Sequence, residues 1–243
     1  MKITFLGTGT MGSITRGNQS ILVDDILFDI GSGVVKKLES LQLYTKNIKY
    51  LIITHQHADH FVDLPNFLIG RAIRNENTEQ LKIICGKGIK EKALQLFELC
   101  FGNDRRVRYT SKNFEEGFNV KFIELGEEET FKTDNMELTA YNLEHGECKP
   151  ILGFTLKKDN KTIGYATDTT LCENVKKICE KSDYAFVDAT NTIPTNSHMG
   201  LDETIWISQQ YHKCKIYAIH RSDYIHSHIK EIYFPEDGEI LEI

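Results

Sequence analysis

Side chains that can bind metal ions are concentrated in one short stretch of the sequence. Three of the nine histidines fall within the segment Thr54-His55-Gln56-His57-Ala58-Asp59-His60. The apolar run Tyr50–Thr54 leads directly into this segment and predicts a buried strand. His55 and His57 stand at positions i and i+2 where that strand ends. Their side chains therefore point to the same side and can converge on one metal ion.

Asp59 and His60 follow in the same segment. If the chain turns into a helix there, they offer an oxygen and a nitrogen to a second position nearby. Imidazole and carboxylate donors suit zinc, with manganese and iron as alternatives. The competing interpretation is a polar loop whose histidines merely face solvent. So dense a run of ligand-type residues favours metal binding over that interpretation.

The elements that must position these residues change in kind along the chain. The first part is rich in strands joined by turns, and the second half alternates strands with helices. Two sheets with helices outside them would satisfy this order, as one domain over residues 1–243. Strands are predicted at Lys2–Leu6, Ser20–Val23, Ile26–Ile30, Tyr50–Thr54, Leu81–Cys85, Leu138–Asn142, Lys161–Ala166, Tyr184–Asp188 and Lys215–Ile219. Helices are predicted at Val34–Leu43, Phe61–Ile73, Ile89–Phe101, Leu171–Glu180 and Leu201–Gln210; Pro65 must lie in the first turn of its helix or break it.

Composition restricts the classes of function. Lys and Arg total 29 against 35 Asp and Glu, which gives a net charge of −6. This balance excludes a chain-wide electrostatic grip on nucleic acid, which needs clustered basic residues. No apolar run approaches the roughly 20 residues of a membrane span, and the N-terminus reaches Gly7 too soon for a signal-peptide core. We therefore expect a cytoplasmic protein, and the scattered cysteines are typical of reduced, structural thiols.

The motif His-x-His-x-Asp-His after an apolar strand resembles the signature of the metallo-β-lactamase fold superfamily. Other segments resemble ribonuclease Z in the same order, and together they cover essentially the whole chain. They are Phe5-Leu6-Gly7-Thr8-Gly9, Leu27-Phe28-Asp29-Ile30-Gly31, Gly86-Lys87-Gly88-Ile89-Lys90-Glu91, Gly164-Tyr165-Ala166-Thr167-Asp168-Thr169 and Val187-Asp188-Ala189-Thr190. The resemblance implies an α+β fold of the αββα type, in which helices flank two mixed β-sheets.

The resemblance also implies the remaining metal ligands. His145 matches the histidine that completes the first metal site with His55 and His57. Asp168 matches the carboxylate that bridges both metals. His220 matches the ligand that joins Asp59 and His60 at the second site. Each of these later residues ends a β-type run, as loops gathered at one rim of a sandwich would require.

Two divalent ions, with zinc expected and manganese or iron as alternatives, would hold a bridging hydroxide and stabilise charge on the attacked phosphoryl or carbonyl group. The leaving oxygen also needs a proton. His198 matches the non-ligand histidine that serves this role in ribonuclease Z-like phosphodiesterases. Asp188 stands where that family carries the glutamate of a His-Glu-Ala-Thr motif, and a His198–Asp188 pair could orient and charge the imidazole. With Asp59, these two residues form the expected catalytic set.

The match to the family is incomplete at two places. Val187 replaces the histidine of the His-Glu-Ala-Thr motif, and Asp188 is one methylene shorter than glutamate, so His198 as an ordinary loop histidine is the alternative. After His220 the chain reads Arg221-Ser222-Asp223-Tyr224, without the arginine of the ribonuclease Z pattern.

Asp29 could orient a metal-bound histidine or cap the turn at Gly31. The histidines expected to be structural or on the surface are His212, His226 and His228.

The number of residues between His145 and Asp168 indicates the size of the substrate. Ribonuclease Z holds transfer RNA with a long arm inserted between the residues matched by His145 and Asp168, which here are separated by only 23 positions. Armless relatives include the phosphodiesterase of the carbon–phosphorus lyase pathway, which acts on cyclic and simple phosphodiesters. We therefore expect a dinuclear metal-dependent phosphodiesterase for small or nucleotide-like phosphodiesters, with RNA as a disfavoured substrate. The resemblance also suggests a homodimer.

Three alternatives stay open. The first is a ribonuclease Z-type endonuclease that processes RNA 3′ ends. The second is a thioester or lactone hydrolase of the glyoxalase II-like type, although such relatives usually carry glycine where this chain has Asp63. The third is a metal-binding sensor or scaffold without activity, which the altered motif at Val187 and Asp188 leaves open.

Overall fold

The structure is a computed structural model that describes residues 1–102, 114–225 and 229–243. Two β-sheets of seven strands each form its centre, with helices on the outer face of each sheet. The expected α+β, αββα arrangement is thereby confirmed. The expectations for His226 and His228 concern residues outside the described part of the chain.

The first sheet is built mainly from the N-terminal half. Its strand order is β14-β1-β2-β3-β4-β5-β6, antiparallel from β14 to β3 and parallel from β3 to β6. The strands are β1 (Lys2–Gly7), β2 (Ser20–Val23), β3 (Ile26–Phe28), β4 (Tyr50–Ile53), β5 (Leu81–Gly86), β6 (Val120–Leu125) and β14 (Ile240–Glu242).

The second sheet has the order β13-β12-β11-β10-β9-β8-β7. Its strands β10 to β13 run parallel to one another, so β10, β11 and β12 bring their carboxyl ends to one edge. The strands are β7 (Thr130–Lys132), β8 (Met136–Asn142), β9 (Leu152–Lys158), β10 (Lys161–Ala166), β11 (Tyr184–Asp188), β12 (Lys215–Ile219) and β13 (Ile232–Tyr233).

Strand β4 shows why its sequence is apolar at every inner position. Leu51 and Ile53 pack into the layer beneath the helices of the first sheet, whereas Ile52 packs into the layer between the two sheets. A strand that is covered on both faces reads as a continuous apolar run. Burial on both sides therefore holds β4 rigidly just before the histidine segment.

Each of the five regions predicted as helical contains an α-helix, with the predicted bounds at Ile89–Phe101 and Leu201–Gln210 and shifted ends elsewhere. The helix at Phe114–Phe118 was not predicted. The helices are α1 (Val34–Ser40), α2 (Ala58–Phe61), α3 (Leu64–Ile73), α4 (Ile89–Phe101), α5 (Phe114–Phe118), α6 (Glu173–Lys181) and α7 (Leu201–Gln210). The helix predicted at Phe61–Ile73 is two helices, because the chain turns at Val62 and Asp63 and Pro65 lies in the first turn of α3. The Asp63 carboxylate accepts hydrogen bonds from the amides of Gly33 and Val35, and so caps the start of α1.

Candidate metal centre

The first group of donor side chains comes from both sheets. His55 and His57 follow β4, His145 follows β8, and Asp168 follows β10. Nε2 of His145 lies 3.2 Å from Nδ1 of His57 and 3.9 Å from Oδ2 of Asp168. Nε2 of His55 lies 3.9 Å from the same carboxylate oxygen. The four donor atoms lie within 4.8 Å of one another, a spacing that suits a single bound ion.

The second group lies beside the first. Asp59 and His60 project from α2, and His220 follows the last residue of β12. Nε2 of His220 lies 3.3 Å from Oδ2 of Asp59, and Nε2 of His60 lies 3.5 Å from the same oxygen. The structure thus places Asp59 and His60 on a short helix directly after the strand, in the arrangement that the sequence predicts.

Asp168 belongs to both groups. Its Oδ2 atom faces the first group, while its Oδ1 atom lies 3.1 Å from Nε2 of His60 and 3.2 Å from Nε2 of His220. One carboxylate therefore presents one oxygen to each position. This is the geometry that the resemblance implies for a bridging ligand.

The hydrogen bonding of the donor atoms also indicates divalent metal ions, without reference to any related protein. Within the described part of the chain, Nε2 of His55, Nε2 of His60 and Oδ1 of Asp59 are buried without a hydrogen-bond partner. Unpaired buried polar atoms are costly in a folded protein. Divalent ions at the two positions would satisfy these atoms, and mixed imidazole and carboxylate donors are the ligands such ions use.

The electrostatics of the site keep His55 and His57 of the first group neutral and favour positive charge at the second group. Burial, together with the neighbouring imidazoles, lowers the pKa of His55 and of His57, so both stay neutral with free lone pairs. Burial opposes protonation of His60, yet the Asp168 and Asp29 carboxylates raise its pKa well above the usual value. The carboxylates at this position thus stabilise a cation, which is the charge that a metal ion would bring.

Asp29 holds the histidines from behind. It is fully buried, and its carboxylate accepts hydrogen bonds from Nδ1 of His60 at 2.9 Å and from the Tyr165 hydroxyl at 3.2 Å. The Thr54 amide and hydroxyl also donate to it, and the Thr54 hydroxyl oxygen lies 3.0 Å from Nδ1 of His55. These contacts leave Nε2 of both histidines facing the candidate metal positions. Of the two interpretations left open for Asp29, the contacts favour the orienting one.

His198 lies at the mouth of the site, between the two groups. Its ring centroid is 4.6 Å from that of His145 and 5.2 Å from that of His220. Nδ1 of His198 donates a hydrogen bond to Oδ2 of Asp188 at 2.8 Å. Burial opposes protonation of His198, but this hydrogen bond raises its pKa above the usual value. The shorter aspartate therefore reaches the histidine despite the altered motif.

Both carboxylate oxygens of Asp188 accept hydrogen bonds, whereas Oδ1 of Asp59 has no hydrogen-bond partner among the described residues. Asp188 is fully buried and also accepts hydrogen bonds from the Thr169 amide at 3.0 Å and from the Thr190 amide at 2.9 Å. Asp188, His198 and His220 have donor atoms close enough for a further ion. The satisfied state of the Asp188 carboxylate instead favours a hydrogen-bonding role.

Three site residues have a backbone conformation that the sequence did not reveal. Asp29, Asp168 and His220 have φ angles of 60°, 57° and 53°, in the left-handed region that non-glycine residues rarely adopt. Such conformations persist only where the surroundings hold them, and they concentrate at functional sites. Gly31 adds a second constraint, because a Cβ atom there would lie 1.7 Å from the Asp59 carbonyl oxygen.

The structure brings together every residue of the predicted site, namely His55, His57, Asp59, His60, His145, Asp168, Asp188, His198 and His220. Sequence reasoning missed the supporting hydroxyl groups of Thr54, Tyr165 and Thr190. Thr54 and Thr190 lie inside the recognised motifs, so their positions were a usable signal. Tyr165 gave none, because its contact with Asp29 depends on the packing of the two sheets.

Comparisons with known proteins agree with this architecture. A family model described as the anti-Pycsar protein Apyc1 matches residues 1–236. Ribonuclease Z of Staphylococcus carnosus is 27% identical over 165 residues, which are 65% of this chain and 49% of that protein. Ribonuclease Z of Archaeoglobus fulgidus is 32% identical over 149 residues, 59% of this chain and 44% of that protein. The chain thus matches about half the length of these relatives.

Solved structures show the same fold. The short form of human tRNase Z matches with a TM-score of 0.78 and 22% identity, covering 100% of this chain and 99% of that one. A diphosphatase of the PhnP family matches with a TM-score of 0.76 and 21% identity, covering 100% and 97%. Both are metallo-β-lactamase fold proteins. Among the described residues, no helix has the length and apolar character needed to cross a bilayer.

Proposed function

The chain belongs to the family of the anti-Pycsar protein Apyc1 and has the metallo-β-lactamase fold, and from this premise we propose that it is a dinuclear metal-dependent phosphodiesterase. Its substrates are small or nucleotide-like phosphodiesters. The observation that carries the proposal is the hydrogen-bonded His198–Asp188 pair, which stands directly beside two groups of metal-ligand side chains. A proton donor in this place suits a reaction that expels an alkoxide.

In this proposal His55, His57, His145 and Asp168 hold one ion, while Asp59, His60, Asp168 and His220 hold the other. Zinc is the proposed ion, with manganese and iron as alternatives. Two divalent ions would activate a water molecule and stabilise the negative charge that develops on the phosphoryl group. Asp59 is catalytic in the sense that it holds the second ion in place.

His198 protonates the leaving oxygen. Its Nδ1 atom is committed to Asp188, so the proton available for transfer is on Nε2. The carboxylate holds the ring in one orientation and stabilises its charged form, as a general acid requires. Asp188 keeps its own place through the Thr169 and Thr190 amides.

The shape beside the site supports a small substrate. A cavity of about 1070 Å³ opens next to the first group, and its lining includes His145, Cys148, Lys149 and Asn196. Drug-sized ligands occupy sites of about this volume. The interval from His145 to Asp168 is filled by β9, β10 and the turn at Asp159 and Asn160, which belong to the second sheet, so it provides no arm to hold a distant part of an RNA.

The cytoplasmic location, the homodimer and the single domain over residues 1–243 are part of the same proposal. The location is inferred from composition and the scattered cysteines, the single domain from the order of elements, and the homodimer from the resemblance. The thioester alternative is weakened by Asp63, whose side chain caps α1 and is therefore part of this fold. The inactive-scaffold alternative is weakened by the intact contact between His198 and Asp188.

The test is a substrate panel assayed with metal-analysed protein. Bis-p-nitrophenyl phosphate, cyclic nucleotides and short dinucleotides are compared with a panel of thioesters and lactones at matched concentrations. We expect metal-dependent hydrolysis of the phosphodiesters, lost on chelation and restored by zinc or manganese. Faster turnover of a thioester or lactone, or no hydrolysis with both positions loaded, would overturn the proposal.

A further inference from the structure

The Thr190 side chain lies between the proton-donor pair and the second metal position. Its hydroxyl oxygen is 2.6 Å from Oδ1 of Asp188, 2.9 Å from Nδ1 of His220 and 3.2 Å from Nδ1 of His198. Thr190 is only 5% exposed, so water cannot readily replace these contacts. One hydroxyl group thus touches three residues of the candidate site.

The hydrogen-bond directions in this cluster follow from the number of protons that each group can donate. A hydroxyl group has one proton, and an ionised carboxylate can only accept. Two acceptors compete for the Thr190 proton, Oδ1 of Asp188 at 2.6 Å and the His220 carbonyl oxygen at 2.9 Å. The shorter contact assigns the proton to Asp188, and the hydroxyl oxygen then accepts from Nδ1–H of His220. That choice leaves the Nε2 lone pair of His220 facing Asp59 and Asp168, 3.3 Å and 3.2 Å away.

The backbone keeps this hydroxyl in place. The Thr190 amide donates to the Asp188 carboxylate at 2.9 Å, and the Thr190 carbonyl accepts from the Ser222 amide at 3.1 Å. A β-branched side chain on a fixed backbone has few rotamers open to it. Thr190 thereby connects the loop after β11 with the loop that carries His220. The His220 amide is held separately by the Gln19 side chain at 3.1 Å.

We propose that Thr190 is a positioning residue that orients His220 for the second metal position and joins that position to the His198–Asp188 pair. The inference rests on the proposed function, since it assigns His220 to a metal ion. Groups that orient a metal-bound histidine typically contribute 10- to 100-fold to metal affinity or activity. Asp188, which touches neither metal group through its carboxylate, therefore acts on His220 through Thr190.

The test compares Thr190→Val, which keeps the side-chain shape without the hydroxyl, with Thr190→Ser, which keeps the hydroxyl. Zinc is titrated into chelator-treated protein, and the dissociation constants of the first and second equivalents are measured without substrate. We expect Thr190→Val to weaken the second equivalent by about 10- to 100-fold and to leave the first unchanged. Thr190→Ser should bind both equivalents as the unmodified protein does.

An Asp188→Asn change, alone and combined with Thr190→Val, tests the path of the effect. If Asp188 acts on His220 through Thr190, the double variant should bind the second equivalent within about twofold of Thr190→Val alone. If valine is not tolerated, as thermal unfolding of the metal-free protein would reveal, Thr190→Ala provides the same comparison. A hydroxyl-free variant that binds both equivalents normally would overturn the inference.

Failure of this inference differs from failure of the proposed function. If the unmodified protein binds two ions and hydrolyses phosphodiesters while Thr190→Val binds zinc normally, only the role of Thr190 is refuted. If the unmodified protein binds no second equivalent, the proposed dinuclear site itself is refuted, together with the inference that depends on it.

Discussion

Removal of the His198 imidazole should separate metal binding from proton transfer. A His198→Ala protein should fold, because Asp188 keeps three of its hydrogen bonds, from the Thr169 amide and from the Thr190 amide and hydroxyl. It should also keep both ions, since His198 is not among the proposed ligands. The variant therefore tests one step of the reaction on an otherwise intact site.

The expected loss depends on the leaving group. A positioned general acid contributes about 100- to 10,000-fold, which corresponds to about 2.7–5.4 kcal/mol of barrier. The full loss should appear with a dinucleotide, whose leaving alkoxide needs a proton. A much smaller loss should appear with bis-p-nitrophenyl phosphate, whose leaving group is stable without one. The assay is kcat for both substrates, with metal content measured on the same samples.

The pH profile supplies a second measurement on the same variant. His198 acts in its protonated form, and the contact with Asp188 raises its pKa above the usual value of 6.5. The rate with the dinucleotide should therefore persist above pH 6.5 and fall as the pH passes the raised pKa. Asp188→Asn should move this decline to lower pH, and His198→Ala should abolish it. An equal loss for both substrates, with no change in the profile, would refute the role of His198 as an acid.

Elemental analysis should find close to two metal ions per chain; His57→Ala should empty the first position preferentially and His60→Ala the second, whereas full occupancy in both variants would refute the ligand assignment. Chelation should lower Tm by about 11–22 °C, since each of the two ions at 100 times its Kd adds about 2.7 kcal/mol and each kcal/mol shifts Tm by about 2–4 °C at this chain length. Gly31→Ala should destabilise the protein by about 1–3 kcal/mol and weaken metal binding, because the new methyl group displaces the backbone of Asp59; unchanged zinc affinity and Tm would contradict the close packing described. Precursor transfer RNA should be cleaved with lower kcat/KM than the best small diester, because the contacts remote from the reacting phosphate are missing; faster and correct 3′ processing would restore ribonuclease Z as the function.

Much of the fold follows from the sequence because its patterns are local. Continuous apolar runs predict strands such as β4 and β11, and the helix at Ile89–Phe101 has the predicted bounds. The short strands β13 and β14 were missed, since two or three residues carry no readable period. The break between α2 and α3 was left open, because Pro65 fits either a first turn or an interruption.

The candidate site was likewise predictable from the sequence only where its pattern is local. The segment from His55 to His60 is readable because its donors are adjacent in sequence, whereas His145, Asp168 and His220 needed the family resemblance. Neither route revealed the left-handed backbone at Asp168 and His220, which only the packed structure displays. The hydroxyl of Tyr165 escaped for a related reason, since it meets Asp29 across the interface between the sheets.

The two halves of the donor set have consequences for how a metal would be acquired. His55, His57, Asp59 and His60 lie within one short segment, while His145, Asp168 and His220 reach them only after the second sheet packs against the first. A chain that meets metal ions early in folding therefore offers an incomplete set of ligands, which binds ions in order of intrinsic affinity and favours copper over manganese. The finished site adds the Asp168 carboxylate, which faces both groups, and a fixed geometry, and these would discriminate by coordination preference instead. The order of folding and metal loading should thus help decide which metal the protein carries.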